Sequence, residues 1–180
     1  MPLLIDAIKN SLVVSFDYVF YRKENAVVNM AVKPYYLKES LGLWYLMALD
    51  GKGTLKSFGI DRISNLVISD ESFIRDDTIN LKDRFQHSYG IWDDPEIPVE
   101  TVELSYSPLD GCFLKSYPLH ATQQVIIDNE QEFRIRLRIK ITNDFVMALL
   151  SRSRSVTVIA PQSLRETMRD IYKEALKRNE

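Results

Sequence analysis

Residues 32–63, VKPYYLKESLGLWYLMALDGKGTLKSFGIDRI, read as three β segments in succession. Pro34-Tyr35-Tyr36-Leu37 closes the first. Leu43–Leu49 is an apolar run centred on Trp44-Tyr45-Leu46, the side-chain types that suit a pleated surface. Asp50-Gly51 is a hairpin turn signal, and Gly53 keeps that loop permissive. Lys56 to Ile60 predicts the third strand, which runs into Asp61-Arg62-Ile63. Taken alone, the pattern specifies a small antiparallel β unit. It also carries a constraint: Trp44 and Tyr45 have opposite parity, so both cannot point inward from an unbroken strand.

Working outward, Leu3, Leu4, Ala7 and Ile8 have helical spacing, and Val14, Phe16, Tyr18 and Phe20 alternate as a strand. Tyr21 to Asn29 is charged and polar and reads as a turn back. Leu66 to Ser69 predicts another short strand, then an acidic loop from Asp70 to Asp77. Leu81 to Gly90 predicts a helix with Leu81 and Phe85 inward. The segment Asp93-Asp94-Pro95-Glu96-Ile97-Pro98 cannot sit in a regular element and marks a boundary. Beyond it, Val102, Leu104 and Tyr106 alternate as a strand, and Ser107 to Gly111 is turn chemistry. Phe113-Leu114 opens a helix stopped by Pro118. Ala121 to Asp128 is a strand, and Phe133 to Ile141 alternates strictly. Phe145 to Leu150 reads as buried helix and Val156 to Ile159 as strand. In the last helix, Ser163 and Glu166 form a capping box ahead of the stripe Leu164, Met168, Ile171, Ala175 and Leu176. Strands and helices in this order suit an α+β sandwich.

The chain of 180 residues can bury a proper core as one domain or two small ones. Its formal net charge of -2 excludes a global basic field, so anion binding must come from a local patch. One cysteine, Cys112, excludes an intrachain disulfide and a multi-cysteine zinc site. No apolar run is long enough to span a membrane, and the start lacks a signal-peptide layout. A cytoplasmic protein with no membrane partner is expected.

The succession of a proline strand, a Trp44-Tyr45-Leu46 strand and a Phe58-Gly59-Ile60-Asp61-Arg62-Ile63 strand resembles the WYL domain, a small Sm/SH3-like β-barrel. Ala7-Ile8 and Val14 to Tyr18 resemble that family's opening helix and first strand. Leu81 to Gly90 is similar to the helical linker that follows the barrel. Leu149-Leu150, Val156 to Val158 and Pro161 to Arg165 stand where the WYL C-terminal extension has its leucine-rich helix, strand and proline before the last helix. The resemblance implies an N-terminal small β-barrel at residues 1–80, a helical linker and hinge at 81–98, and a small α+β sandwich at 99–180. It further implies the ligand-sensing module of a bacterial transcription regulator. WYL regulators usually begin with a winged helix-turn-helix. Nothing of that kind precedes the first helix here, so a stand-alone sensor or a part of a longer protein is expected. Duplex DNA would be met only through that absent domain. A second departure is Gly59, where the family often carries a basic residue.

The effector such a family implies is single-stranded nucleic acid or a nucleotide, and a homodimer is expected. A site of this kind needs cations for phosphates and aromatic faces for bases. Arg62 is the leading cation, with a salt bridge to Asp61 or a neighbouring carboxylate as the alternative. Tyr18 and Tyr45 are candidate stacking rings or core residues. Lys56 shares parity with Arg62, although Phe58 and Ile60 lie between them. Arg134, Arg136, Arg138 and Lys140 put four cations on one strand face. They either await an anionic partner or face acids such as Glu103 or Glu100 on the next strand. Arg152 and Arg154 sit in a serine-rich loop that suits phosphate or is plain exposed loop. His87, His120 and Cys112 have no partner at ligand or catalytic spacing, and there is no phosphate-binding glycine loop. No enzyme, metal or cofactor is expected. The alternative reading is a dimerisation module without a small ligand; a third, a metal-dependent nuclease, would need clustered acids.

Overall fold

In the computed structural model, which describes residues 1–21 and 24–180, the chain divides into two units, Met1–Ile79 and Asn80–Glu180. The first unit contains α1 (Pro2–Lys9), β1 (Leu12–Phe20), β2 (Ala26–Ser40), β3 (Leu43–Leu49), β4 (Leu55–Gly59) and β5 (Ile63–Ser72). Its antiparallel sheet has the order β4-β3-β2-β1-β5. The ladder is open rather than a closed barrel: β4 and β5 are joined by the one-turn 3-10 helix Ile60–Arg62, not by strand pairing.

The long β2 makes the unit fold over. Its first half pairs with β1 and its second half with β3, with a register shift between Pro34 and Tyr36. A proline has no N–H to give the ladder, so an irregularity there costs little. One core then draws on both ends of the sheet: Val14, Phe16 and Tyr18 from β1, Leu46 and Ala48 from β3, Phe58 from β4, closed by Leu4 and Ala7 of α1. Each large side chain so buried contributes about 1.5–3 kcal/mol.

One expectation changes here and one constraint is met. β2 begins at Ala26 rather than Val32, so Ala26 to Asn29 is strand and not part of the turn. Val27 and Val28 are 62% and 41% exposed, so this stretch buries no alternating face and left no period-two signal. The rest of the expected turn includes Arg22 and Lys23, which lie outside the described residues. The parity constraint resolves with Trp44 46% exposed and Tyr45 partly buried.

The second unit contains α2 (Leu81–Arg84), β6 (Val99–Tyr106), α3 (Pro108–Ser116), β7 (Gln124–Asp128), β8 (Phe133–Lys140), α4 (Asn143–Leu150), β9 (Thr157–Ala160) and α5 (Gln162–Lys177). The antiparallel order is β7-β8-β6-β9. Phe133, Ile135, Leu137 and Ile139 are fully buried on β8, as their alternation predicts. They join Val102, Leu104 and Tyr106 of β6, Leu114 of α3, Phe145 and Leu149 of α4, and Leu164 and Met168 of α5 in one core. This is the expected α+β arrangement.

Helix boundaries depart from expectation at three points. α2 is a single turn and does not reach Gly90, because the His87 carbonyl accepts from Lys140 N at 2.8 Å and the chain is drawn onto the end of β8. α3 starts at Pro108: Ser107 caps it by accepting from Asp110 N at 3.2 Å, so the turn residues are helix-start chemistry. The capping box on α5 does not form. Pro161 is the N-cap, Ser163 lies inside the first turn, and Glu166 accepts from Gln162 Nε2 at 2.9 Å. Leu176, the last member of the expected stripe, is 62% exposed. In the proline-rich segment read as a hinge, Asp93 is tied within the second unit to Lys140 Nζ at 2.5 Å and Arg84 Nε at 3.0 Å.

Candidate nucleic-acid interface

The 3-10 turn after β4 carries the chain back toward the end of β1, where Ile63 pairs with Tyr18. That crossing brings Arg62 to two aromatic rings. Its guanidinium carbon lies 5.0 Å from the Tyr18 ring centroid and 5.2 Å from that of Tyr21. Both distances are in the range of cation–π attraction. Tyr18 is fixed from below. It is 3% exposed, stands edge-on to Phe16, Phe20 and Phe58, and its hydroxyl accepts from Gly59 N at 3.1 Å. Burial pushes its hydroxyl pKa up, against the Gly59 N–H and the Arg62 charge. Tyr21 is 60% exposed. Among the described residues Arg62 has no ion pair, so the salt bridge to Asp61 does not form.

Gly59 makes this placement possible. Its φ of −60° suits any residue, so conformation is not the reason for glycine. Space is: a Cβ there would stand 2.8 Å from Arg62 Nη2, 2.9 Å from its Nε and 2.7 Å from an Asp61 carboxylate oxygen. The departure at Gly59 thus lets Arg62 occupy the spot. Tyr45 sits opposite Gly59 in the β3–β4 ladder and close enough to Tyr18 to act on its pKa.

The other cations are placed differently. Lys56 pairs with Asp50 at 2.6 Å across the hairpin, and this pair, with the Thr54 and Lys52 N–H groups, holds the Asp50 carboxyl down at about 2. Arg134 is bound to Glu132 at 2.9 Å and Arg136 to Glu103 at 2.7 Å. Lys140 is bound to Asp93. Arg138 is exposed. The run on β8 is therefore largely neutralised by acids beside it. Arg152 lies 3.8 Å from Asp110, and Arg154 is exposed nearby. Among the described residues no group of three or more His, Cys, Asp and Glu is placed to hold a metal. Tyr21 was not singled out in the sequence, because a tyrosine just past a strand end has no periodic signal.

The model of the WYL domain matches residues 1–68, and that of the WCX domain matches residues 98–176. The chain carries a WYL domain followed by a WCX domain. The Arg62 site lies within the WYL domain and the basic run of β8 within the WCX domain. Among solved structures the chain is similar to a CRISPR Cas-related protein, at 12% identity and TM-score 0.54, over 99% of this chain and 50% of that one. It is also similar to proteasome accessory factor B/C (PafBC) of Arthrobacter aurescens, at 18% identity and TM-score 0.41, over 93% of this chain and 25% of that one. The chain therefore spans a quarter to a half of the length of these structures. No curated protein matches it.

Proposed function

We propose that this chain is the ligand-sensing part of a WYL-family transcriptional regulator, and that its WYL domain takes a nucleic-acid or nucleotide effector, above all single-stranded DNA. The observation that carries this reading is Arg62, a guanidinium held between two tyrosine rings and free of carboxylate partners among the described residues. Its planar fork suits a phosphate, and the exposed Tyr21 ring offers a stacking face for a base. Tyr18 and Tyr45 form the rigid back of the site, and Lys56 a flanking charge once it exchanges Asp50 for phosphate. Arg134 and Arg136, in the second unit, would each have to give up a carboxylate before meeting a phosphate and gain little from doing so. In this reading residues 1–80 sense, 81–98 relay and 99–180 form the extension, in a cytoplasmic, non-enzymatic homodimer. The effector acts by binding one arrangement of the protein better than another, since equal affinity shifts nothing.

The test is fluorescence anisotropy of a short labelled single-stranded DNA at two salt concentrations. Binding should weaken steeply with salt and fall about tenfold or more in Arg62→Ala. No binding at low salt overturns the reading. One observation favours the alternative of a dimerisation module: a groove of about 660 Å³ between β9 and α5 is lined by Val158, Ile159, Met168, Tyr172 and Leu176. Sedimentation equilibrium of wild type and Leu176→Asp decides that alternative. A dimer dissociated by the substitution, together with indifference to single-stranded DNA, supports it, and a monomeric wild type ends it.

A further inference from the structure

The loop 151–155 faces the start of α3 across a second cavity, of about 580 Å³. Ser107 and Asp110 line one side, and Ser151, Arg152, Arg154 and Ser155 the other. Two guanidiniums face one carboxylate, which leaves an excess positive charge. Asp110 is already supplied with donors. Its carboxylate accepts from Ser107 Oγ at 3.0 Å, and the Ser155 hydroxyl, then Ser107, then the two arginines hold its pKa below the usual carboxylate range. Arg152 stands 3.8 Å from it, beyond hydrogen-bond length, so its N–H groups are not consumed by that contact. Arg154 has no ion pair among the described residues. The N-terminal end of the nine-residue α3 adds partial positive charge to the same wall.

We infer that this cavity is a phosphate-binding site of the WCX domain, with Arg152 and Arg154 as its cations and Ser155 and the start of α3 as its hydrogen-bonding wall. Arginine forks and serine hydroxyls are the groups that recognise phosphate oxygens. The inference does not depend on the Arg62 site. The phosphate is either free, as inorganic phosphate, or carried by a nucleic acid.

The test is amide NMR of the full chain titrated with inorganic phosphate, against sodium chloride at equal ionic strength. Parallel titrations use a short oligonucleotide with a 5′-phosphate and its 5′-hydroxyl twin. Saturable shifts confined to residues 107–110 and 151–155 are expected with phosphate and not with chloride. Arg154→Ala, a change at an exposed side chain, should weaken them roughly tenfold, while Arg62→Ala leaves them intact. A stronger response to the 5′-phosphorylated strand assigns the site to a nucleic-acid end, an equal response to both strands assigns it to the backbone, and a response to inorganic phosphate alone assigns it to the free ion. Absence of shifts with every probe, equal shifts with chloride, or indifference to Arg154→Ala overturns the inference.

Discussion

In the WYL domain Arg62 lies between two tyrosine rings, whereas the WCX domain has a row of four cations on one strand; a bare count of charges favours the row, although Arg62 is the leading cation of the sequence reading. The two differ in what already holds their charges. Arg134, Arg136 and Lys140 each meet a carboxylate within 2.9 Å, while Arg62 lies over aromatic faces and has no ion pair among the described residues. Like charges along a strand face repel, and here they are tolerated because Glu132, Glu103 and Asp93 stand beside them. A count of cations therefore says little about ligand binding. What decides is whether a carboxylate already occupies each one.

If the row is structural, its deepest pair should matter most to folding. The Asp93 and Lys140 side chains are only 6% and 13% exposed, and Asp93 also accepts from Ser88 Oγ. Asp93→Ala leaves a buried ammonium without its partner and should cost about 3 kcal/mol in denaturant unfolding. A change within error would mean the pair is not holding the second unit, and would break the contrast. On the other side, Gly59→Ala should leave the unfolding midpoint nearly unchanged, since the long Arg62 side chain can move aside. It should nevertheless weaken single-stranded DNA about fivefold, because the guanidinium is displaced from its place over Tyr18. Equal affinity in wild type and Gly59→Ala would show that the position of Arg62 between the rings is incidental.

Much of the contrast was legible, but unevenly. β3 and β8 were readable because buried residues impose a strong local pattern, such as Phe133, Ile135, Leu137 and Ile139. The first half of β2 was not, because Val27 and Val28 are held by backbone pairing to β1 and bury no face. The start of α3 was written in Ser107-Pro108, a cap followed by an N1 proline, which turn chemistry imitates. Arg62 could be picked out, and Glu103 could be named as a possible partner for the row. Tyr21 could not, since its contact with Arg62 depends on a crossing between β4 and β5 that only the tertiary fold supplies. The same holds for Asp93, distant in sequence from the Lys140 it binds.

Acid offers a milder probe of the second unit. His120 Nδ1 accepts from Thr122 N at 3.2 Å, and the Thr122 hydroxyl bonds both the N–H and the carbonyl of Arg138. Burial, helped by the charge of His87, pushes the His120 pKa below its ordinary 6.5, against the Ser88 carbonyl. The unfolded chain therefore takes up this proton first as pH falls. Stability from this group is whole above pH 6.5, declines as pH drops through it, and levels off below the folded pKa. Thermal unfolding across this range should show that decline in wild type and lose it in His120→Gln. An identical profile in both would remove His120 from the support of β8.

The smallest effect is expected at Arg136, and it tests the contrast most directly. Its pair with Glu103 is a surface one, with the arginine side chain 44% exposed, so its removal should cost no more than about 1 kcal/mol. The informative readout is binding. A guanidinium already held by a carboxylate at 2.7 Å must give up that contact before it meets a phosphate, so it gains little from doing so. Arg136→Ala should therefore leave single-stranded DNA affinity and its salt slope unchanged under conditions where Arg62→Ala lowers both. If Arg136→Ala lowers them as well, the row is a ligand surface despite its pairing, and the occupied carboxylates are place-holders that phosphate displaces.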